Sequence, residues 1–173
     1  MTNVLAIGAA LILLVPGGWW VSHTRLAAAR NDVESGWADV ASELQRRHEL
    51  IPQLVASVQA AATHERDLLI ELARRNDLAV VASHTPDAAN QHEPPLTQTV
   101  AQVVALGERY PQLNAQHNFL ELQRQLALTE DRIAASRRYY NTRVEGLNRR
   151  VDAFPSGAVA RRHGFEKAEF FGA

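Results

Sequence analysis

The sequence predicts an all-α protein in which a single N-terminal transmembrane helix precedes an elongated antiparallel helical bundle with two long helices. Three observations favour this class. Residues 4–21 form an uncharged apolar run, and two later segments carry apolar residues at alternating intervals of four and three. No segment alternates apolar and polar residues as a half-buried strand does. The apolar content comes mainly from Ala, Leu and Val, which suits helices better than sheets.

The composition of the chain excludes several classes of partner and site. With 173 residues the chain is long enough for one domain with a substantial core. Its formal net charge of −1 gives no overall attraction to nucleic acid, and its basic residues are not interleaved with aromatic ones. We therefore expect no nucleic-acid partner. The absence of cysteine excludes disulfides, thiolate metal sites and a thiol nucleophile.

Residues 1–24 are predicted to contain a membrane anchor. The eighteen apolar residues of 4–21, VLAIGAALILLVPGGWWV, are near the minimum length for a helix that spans a bilayer. Trp19 and Trp20 stand at the end of this run, where indoles favour the lipid–water boundary. A cleaved signal peptide is the alternative, but no Lys or Arg precedes the run. Arginines that follow the run favour a cytoplasmic bundle.

The bundle is predicted to occupy residues 25–156, and its first long helix is traced from Val33 to Ala79. Eleven of fourteen positions in this stretch, spaced alternately by four and three residues, are apolar. The phase continues through Pro52. We therefore interpret the stretch as one helix that is kinked at the proline, with a break into two antiparallel helices as the alternative.

The rest of the bundle is predicted to contain a mobile loop, a short helix and a second long helix. Residues 83–95, SHTPDAANQHEPP, are polar, contain three prolines and lack periodicity, which is typical of a loop. A short helix is expected over about 96–109, and Pro111 begins another. The last long helix is expected over about 112–153, and eight of its eleven core-facing positions are apolar. Residues 157–173 form a tail whose phenylalanines dock on the bundle or on a partner.

Charged residues interrupt the apolar seams of both long segments. A charge at a seam position destabilises a bundle unless it is paired. We therefore expect Arg–Glu pairs that fix how the helices slide against each other. A polar groove for a ligand or partner is one alternative, and a helix phase that is one residue off is another. The candidate residues are Arg47, Glu65, Arg75, Glu130 and Arg137.

We expect neither enzymatic activity nor a cofactor, because no catalytic or metal-ligating motif is complete. His64-Glu65 begins an HExxH-like pattern, but Leu68 stands where the second histidine belongs. His84 and His92 are interpreted as solvated residues of the predicted loop. The sequence contains no GxSxG elbow and no phosphate-binding glycine loop.

A basic patch is predicted near the end of the chain. It consists of Arg149, Arg150, Arg161 and Arg162. Paired arginines on helices are usually solvated, but a patch of this kind also suits anionic lipid or an acidic protein.

The chain resembles the LemA family of bacterial membrane proteins. After the anchor come, in order, QRRHELIPQLV (45–55), YPQLNAQHNFLEL (110–122), RRYYNTRVEGLNRRVDAFPS (137–156) and GFEKAEFF (164–171). The ordered set is highly specific, although Gln53 and Leu147 depart from the family's usual residues. Of the charged seam residues, Arg47, Glu65, Glu130 and Arg137 match the family's signature, and the other matching positions are Pro52, Pro111, Asn118, Tyr140, Asn141, Asn148 and Phe154.

The resemblance implies a single-pass protein of the bacterial inner membrane with no established enzymatic activity. In some bacteria, relatives are encoded beside membrane proteases or TPM-domain proteins. The resemblance therefore implies a membrane protease or a TPM-domain protein as the partner. We therefore expect a non-enzymatic adaptor or scaffold of an envelope complex, held in the bilayer by residues 4–21 and able to form a homo-oligomer. The alternative is a membrane-remodelling or lipid-binding bundle.

Overall fold

The structure is a computed structural model that describes the backbone of residues 2–172 and the side chains of residues 17–172. It is 86% helical, and no strand occurs within the described backbone, so the predicted all-α class is confirmed. The two long helices are Thr2–Gln59 and His117–Asp152. In chain order the helices are α1 Thr2–Gln59, α2 Arg66–Ala82, α3 Pro86–Val104, α4 Leu106–Arg109, α5 Pro111–Asn114, α6 His117–Asp152 and α7 Ser156–His163, with a 3-10 turn at Thr63–Glu65 before α2.

The chain divides into two compact units. Unit 1 comprises residues 1–36 and 141–169, and unit 2 comprises residues 37–140 and 170–173. Helices α1 and α6 contribute residues to both units. Within unit 2 these helices run antiparallel, since Trp37 packs against Tyr140 and Arg47 pairs with Glu130.

The predicted anchor falls largely outside the described side chains. Helix α1 begins at Thr2 and includes the apolar run, but the side chains of residues 4–16 are not described. In the part of the chain with described side chains, no helix is long and apolar enough to cross a membrane.

Helix α1 keeps the predicted seam as far as Val58. It continues through Pro52, so the alternative of a reversal at the proline is wrong. The extension of this helix to Ala79 is also wrong, because α1 ends at Gln59. The buried residues that follow the four–three spacing are Leu26, Val33, Val40, Leu44, Arg47, Ile51, Leu54 and Val58.

The reversal after α1 is made by alanines. The N–H groups of Ala61 and Ala62 both donate to the carbonyl of Val58, and Glu65 then donates to the carbonyl of Ala62. Ala62 is buried in the core. Ala61 continues the apolar phase and no glycine marks the turn. The apolar spacing therefore does not reveal that the helix ends here.

The prediction of a mobile loop over residues 83–95 is wrong, because α3 begins at Pro86. Thr85 is its N-cap and accepts a hydrogen bond from the Ala88 N–H at 3.4 Å, and Pro86 occupies the first turn, where a missing N–H costs nothing. Pro94 and Pro95 lie inside the helix. The buried face of α3 packs in the core, and this tertiary contact outweighs the low helix propensity of the two prolines. Its buried residues are Ala89, Glu93, Leu96, Thr99, Val100 and Val103.

The end of the chain folds back after α6. Phe154 follows α6 in a cis Phe154–Pro155 pair and is 91% exposed, whereas the four–three spacing of the last long helix predicts it as the final inward-facing residue, and that prediction is wrong. The helix stops two residues earlier, at Asp152, and no longer directs this ring inward. Gly164 ends α7 with a φ of 69°, a left-handed conformation that favours glycine. Phe171 is buried, which places one tail phenylalanine on the bundle.

Candidate functional site

A buried charge network lies at the centre of unit 2, where α1, α3 and α6 meet. Arg47 projects from the core face of α1 and is only 2% exposed. Its Nη2 donates to a carboxylate oxygen of Glu93 on α3. Its Nη1 donates to Glu130 Oε1 on α6 at 2.7 Å and to Thr97 Oγ1 on α3 at 3.0 Å. One guanidinium therefore joins three helices.

His48 completes the network. Its Nε2 lies 2.9 Å from Glu93 Oε1, so that Glu93 bridges Arg47 and His48. Burial, and secondly the neighbouring Arg47 charge, lower the pKa of His48 from 6.5 to about 4. The imidazole is therefore neutral at pH 7, and its Nε2–H donates to the carboxylate. The negative charge of Glu93 is already balanced by Arg47, so Glu93 does not stabilise the protonated form of His48.

Pro52 explains a further contact of the same site. A proline inside a helix lacks the N–H that would bond to the carbonyl four residues earlier, which here belongs to His48. The Asn76 side chain of α2 donates to that carbonyl at 3.3 Å. Asn76 is buried, and its Oδ1 has no hydrogen-bond partner. Helix α2 therefore replaces the hydrogen bond that the proline removes from α1.

The structure brings two of the five predicted seam charges together, Arg47 and Glu130. Glu130 is 42% exposed, so the pair is buried on the arginine side only. The other three lie elsewhere. Glu65 accepts from the Tyr110 hydroxyl at 3.0 Å, Arg75 donates to Glu71 at 2.6 Å, and Arg137 lies beside Gly172.

Three members of the site were missed by reasoning from sequence. Glu93 is the principal partner of Arg47, but it stands next to Pro94 in a segment that was taken for a loop. The signal that points to it is its spacing, four residues after Ala89 and three before Leu96, which places it on a helical face. His48 and Asn76 carried no periodic signal of their own.

An open groove lies on the outer side of this network, between α1 and the end of α2. Its volume is about 700 Å³, and His48 contributes to its lining. The lining residues are Trp37, Ala38, Ala41, Ser42, Gln45, His48, Glu49, Pro52, Val80, Ser83 and His84. A smaller hollow of about 300 Å³ adjoins it at Pro52 and is lined by Ile51, Pro52, Val55, Ala56, Gln59, Ala73, Asn76 and Asp77. We call the two together the α1–α2 groove.

The chemistry of the α1–α2 groove is apolar with hydrogen-bond acceptors. Its charged lining residues are the acids Glu49 and Asp77, and neither Lys nor Arg lines it. The amide oxygen of Asn76 has no hydrogen-bond partner, but it is buried beneath the groove surface. Across the described residues no group of three His, Asp or Glu is arranged to hold a metal ion. The groove therefore suits a ligand with apolar and donor groups.

Family-motif residues support unit 2 and its tail. The Trp37 ring packs edge-on against Tyr140 and against Phe171, each with centroids 5.4 Å apart. The Trp37 indole N–H donates to the His84 carbonyl at 3.2 Å, which ties α1 to the end of α2 beside the groove. Pro111 begins α5, as predicted.

Other motif residues lie outside the groove. Asn148, in unit 1, exchanges two hydrogen bonds with the Ala168 backbone, at 2.9 and 3.0 Å. Asn118 is exposed on α6, and Asn141 is half-buried. The predicted basic residues are all exposed, in the last turn of α6 (Arg149, Arg150) and the last turn of α7 (Arg161, Arg162).

The sequence of this bundle matches the model of one known family, described as the LemA family, over residues 36–173. The chain belongs to the LemA family. The prediction made from the ordered motifs is thus confirmed. The matched region of this LemA-family chain contains the charge network and the α1–α2 groove. No curated protein matches the chain.

Proposed function

We propose that this LemA-family chain is a non-enzymatic adaptor or scaffold of the bacterial inner membrane, held there by residues 4–21. The observation that carries the proposal is the α1–α2 groove, an open and mainly apolar cleft of about 700 Å³ in unit 2. Grooves of this kind commonly receive a partner segment through apolar anchors at helical spacing.

The lining defines the chemistry of the partner segment. Trp37, Pro52 and Val80 offer apolar contact, whereas Glu49 and Asp77 offer negative charge. The occupant is therefore a protein segment with both apolar and basic side chains, because a basic residue gains electrostatic complementarity there and an acidic one is repelled.

The charge network makes the groove rigid before a partner arrives. Arg47 fixes α1 against α3 and α6, while Asn76 and Trp37 fix α1 against α2 at two levels. A preformed groove loses less conformational entropy on binding than a flexible one. The family resemblance favours a membrane protease or a TPM-domain protein as the partner.

A matched pair of photo-cross-linking positions tests the proposal in cells. A photoreactive residue replaces Ala38 in the groove or Ala135 on the exposed side of α6, in the full-length chain. We expect a discrete cross-linked product from position 38 and none from position 135. Mass spectrometry of the product then identifies the partner. Equal labelling from both positions, or no product from either, contradicts the proposal.

A charge reversal sharpens the result. Glu49→Arg places a positive charge in the groove, and we expect it to abolish the product from position 38 because the partner segment is basic. Glu121→Arg is the control, since Glu121 lies on α6 and does not line the groove. A product that survives Glu49→Arg contradicts a basic partner.

A further inference from the structure

Unit 1 exposes large aromatic side chains. Trp20 is 71% exposed, Trp19 is 39% exposed, and Phe154 is 91% exposed. A single exposed apolar residue is ordinary, so these rings gain meaning only from the charges and elements that accompany them.

Trp19, at the end of the apolar run, is linked to α7. The Trp19 indole N–H donates to His163 Nε2 at 3.2 Å, and the His23 and His163 rings stack edge-on with centroids 4.7 Å apart. The last turn of α7 therefore lies beside α1 directly after the apolar run of residues 4–21. That turn carries Arg161 and Arg162, both exposed.

Phe154 is held at a tight corner between α6 and α7. The Ser156 hydroxyl donates to the Arg150 carbonyl at 2.7 Å. Gly157 packs so closely that a Cβ there would lie 2.6 Å from the Val151 carbonyl oxygen. The corner is thus fixed by short contacts, and its exposed ring follows Arg149 and Arg150 of the last α6 turn.

The two units differ in net charge. Unit 1 has eight Lys and Arg against six Asp and Glu, a net charge of +2, whereas unit 2 has ten against thirteen, a net charge of −3. Several basic residues of unit 1 face carboxylates, as Lys167 does at 2.8 Å from Asp152. Within the described side chains, no carboxylate pairs with Arg150, Arg161 or Arg162.

We propose that unit 1 rests on the surface of a bilayer and binds the phosphates of anionic lipids. The contact face consists of Trp19, Trp20, Phe154, Arg150, Arg161 and Arg162. The rings lie at the boundary of headgroups and acyl chains, and the arginines donate to lipid phosphates. This contact rests on the proposed membrane attachment through residues 4–21, goes beyond the adaptor role and does not involve the α1–α2 groove.

Two features favour a lipid surface over an acidic protein as the occupant. The face is continuous in sequence with the eighteen-residue apolar run, which ends at Trp19, Trp20 and Val21. Indoles and arginines together are also the side chains enriched where an apolar segment leaves a bilayer.

Site-specific labelling tests the contact in the full-length chain. Because the sequence contains no cysteine, Ala153→Cys places a single polarity-sensitive fluorophore next to Phe154 without replacing it. Ala135→Cys is the matched control, an exposed alanine of α6 in unit 2. Each protein is placed in nanodiscs of phosphatidylcholine alone or mixed with phosphatidylglycerol, and quenching by neutral acrylamide is measured.

We expect the label at position 153 to be blue-shifted and severalfold protected from acrylamide in the mixed discs, and the label at 135 to stay accessible. The double variant Arg161→Gln/Arg162→Gln should remove the protection. The exposed pair Arg66→Gln/Arg132→Gln in unit 2 should leave it unchanged. The scaffold protein that encircles the disc is the same in neutral and anionic discs, so protection that appears only in the anionic discs comes from the lipid and not from a protein.

Two outcomes overturn the proposal. One is a label at 153 that is as accessible as the label at 135 in every disc. The other is protection that is the same in neutral and anionic discs and survives Arg161→Gln/Arg162→Gln. Circular dichroism of each variant confirms that the helices are intact, so loss of protection is not loss of fold.

Discussion

The two units are held together in different ways. Within residues 17–172, every buried polar or charged side chain lies in unit 2, namely Arg47, His48, Asn76, Glu93, Thr99 and Thr129. In unit 1 the described ion pairs are at the surface, such as Arg149 with Glu145. Unit 1 instead fixes its tail by the paired hydrogen bonds of Asn148 and Ala168.

This difference shows which unit has its helix arrangement specified by buried charges. A buried ion contributes little net stability when it is paired, but it destabilises any arrangement that leaves it unpaired. In unit 2 the positions of α1, α3 and α6 are therefore specified jointly by Arg47 and Glu93. In unit 1 a side-chain amide, that of Asn148, holds the tail, and we expect its loss to affect the tail alone.

The largest expected effect is that of Glu93→Ala. Removal of this carboxylate leaves Arg47 without its fully buried partner and His48 without an acceptor, which should lower the free energy of unfolding by about 3–5 kcal/mol. Urea unfolding measures the change. Glu130→Ala should cost less, because Glu130 is 42% exposed.

Glu121→Ala is the surface control for Glu93→Ala. Glu121 pairs with Arg124 on the face of α6, and a solvent-exposed pair of this type contributes little to stability. Equal costs for Glu93→Ala and Glu121→Ala would show that the network in unit 2 behaves like a surface pair.

Acid should weaken unit 2 through His48. The unfolded chain protonates this histidine near pH 6.5, whereas the low pKa of about 4 in the folded chain delays protonation. Between these values the unfolded state binds more protons, so stability is full above pH 6.5 and is lost as the pH falls toward 4. The expected loss from pH 7 to 4.5 is about 2–3 kcal/mol.

His48→Gln isolates this pH dependence. The variant retains a donor toward Glu93 but does not titrate, so its unfolding free energy should change less between pH 7 and 4.5. The pKa values of Glu71 and Glu121, lowered to about 2 by their arginine partners, affect stability only below about pH 4.5. If the unfolding free energy of His48→Gln falls as steeply with decreasing pH as that of the unchanged protein, His48 is not the source of the pH dependence.

A smaller effect is expected at the contact between Pro52 and Asn76. Asn76→Ala leaves the His48 carbonyl without its side-chain donor and should cost about 1–2 kcal/mol. In a Pro52→Ala background, a backbone N–H at position 52 bonds to that carbonyl, so the same substitution should cost less. A double-mutant cycle measures this coupling. Equal costs in both backgrounds would refute the replacement of the proline's missing bond by Asn76.

The smallest effect is expected in unit 1. Asn148→Ala removes two half-buried hydrogen bonds to Ala168 and should cost about 1 kcal/mol. We expect faster amide hydrogen exchange in residues 164–169 but not in α3. Asn118→Ala, at an exposed position of α6, is the control and should change neither quantity. Faster exchange throughout unit 2 would mean that the tail of unit 1 also stabilises unit 2.

Regular spacing made α1 and α6 predictable. Buried positions from Val33 to Val58 follow one phase, and Pro52 does not interrupt it, because an exposed proline can sit on the outer face of a helix. The reversal after Gln59 was not predictable in this way, since the alanines that make the turn also suit the seam. Local pattern determines which face is buried and leaves the end of a helix to tertiary contacts.

The charge network was only half predictable. Arg47 and Glu130 stood out because they interrupt apolar seams, and the structure pairs them at 2.7 Å. Glu93 did not, because its segment contains three prolines and low helix propensity. That propensity is overridden by burial of the α3 face, which sequence periodicity does not reveal.

The hydrogen bond from Asn76 to the His48 carbonyl gives α1 and α2 a fixed point of alignment. Contacts between alanine and leucine side chains are not directional, so they oppose a shift of one helix along another less strictly than a hydrogen bond does. A displacement of one residue moves a helix by about 1.5 Å, enough to separate this donor from its acceptor. The missing N–H of Pro52 and the amide of Asn76 thus favour one alignment of α2 along α1, and the groove between the two helices takes its width from that alignment.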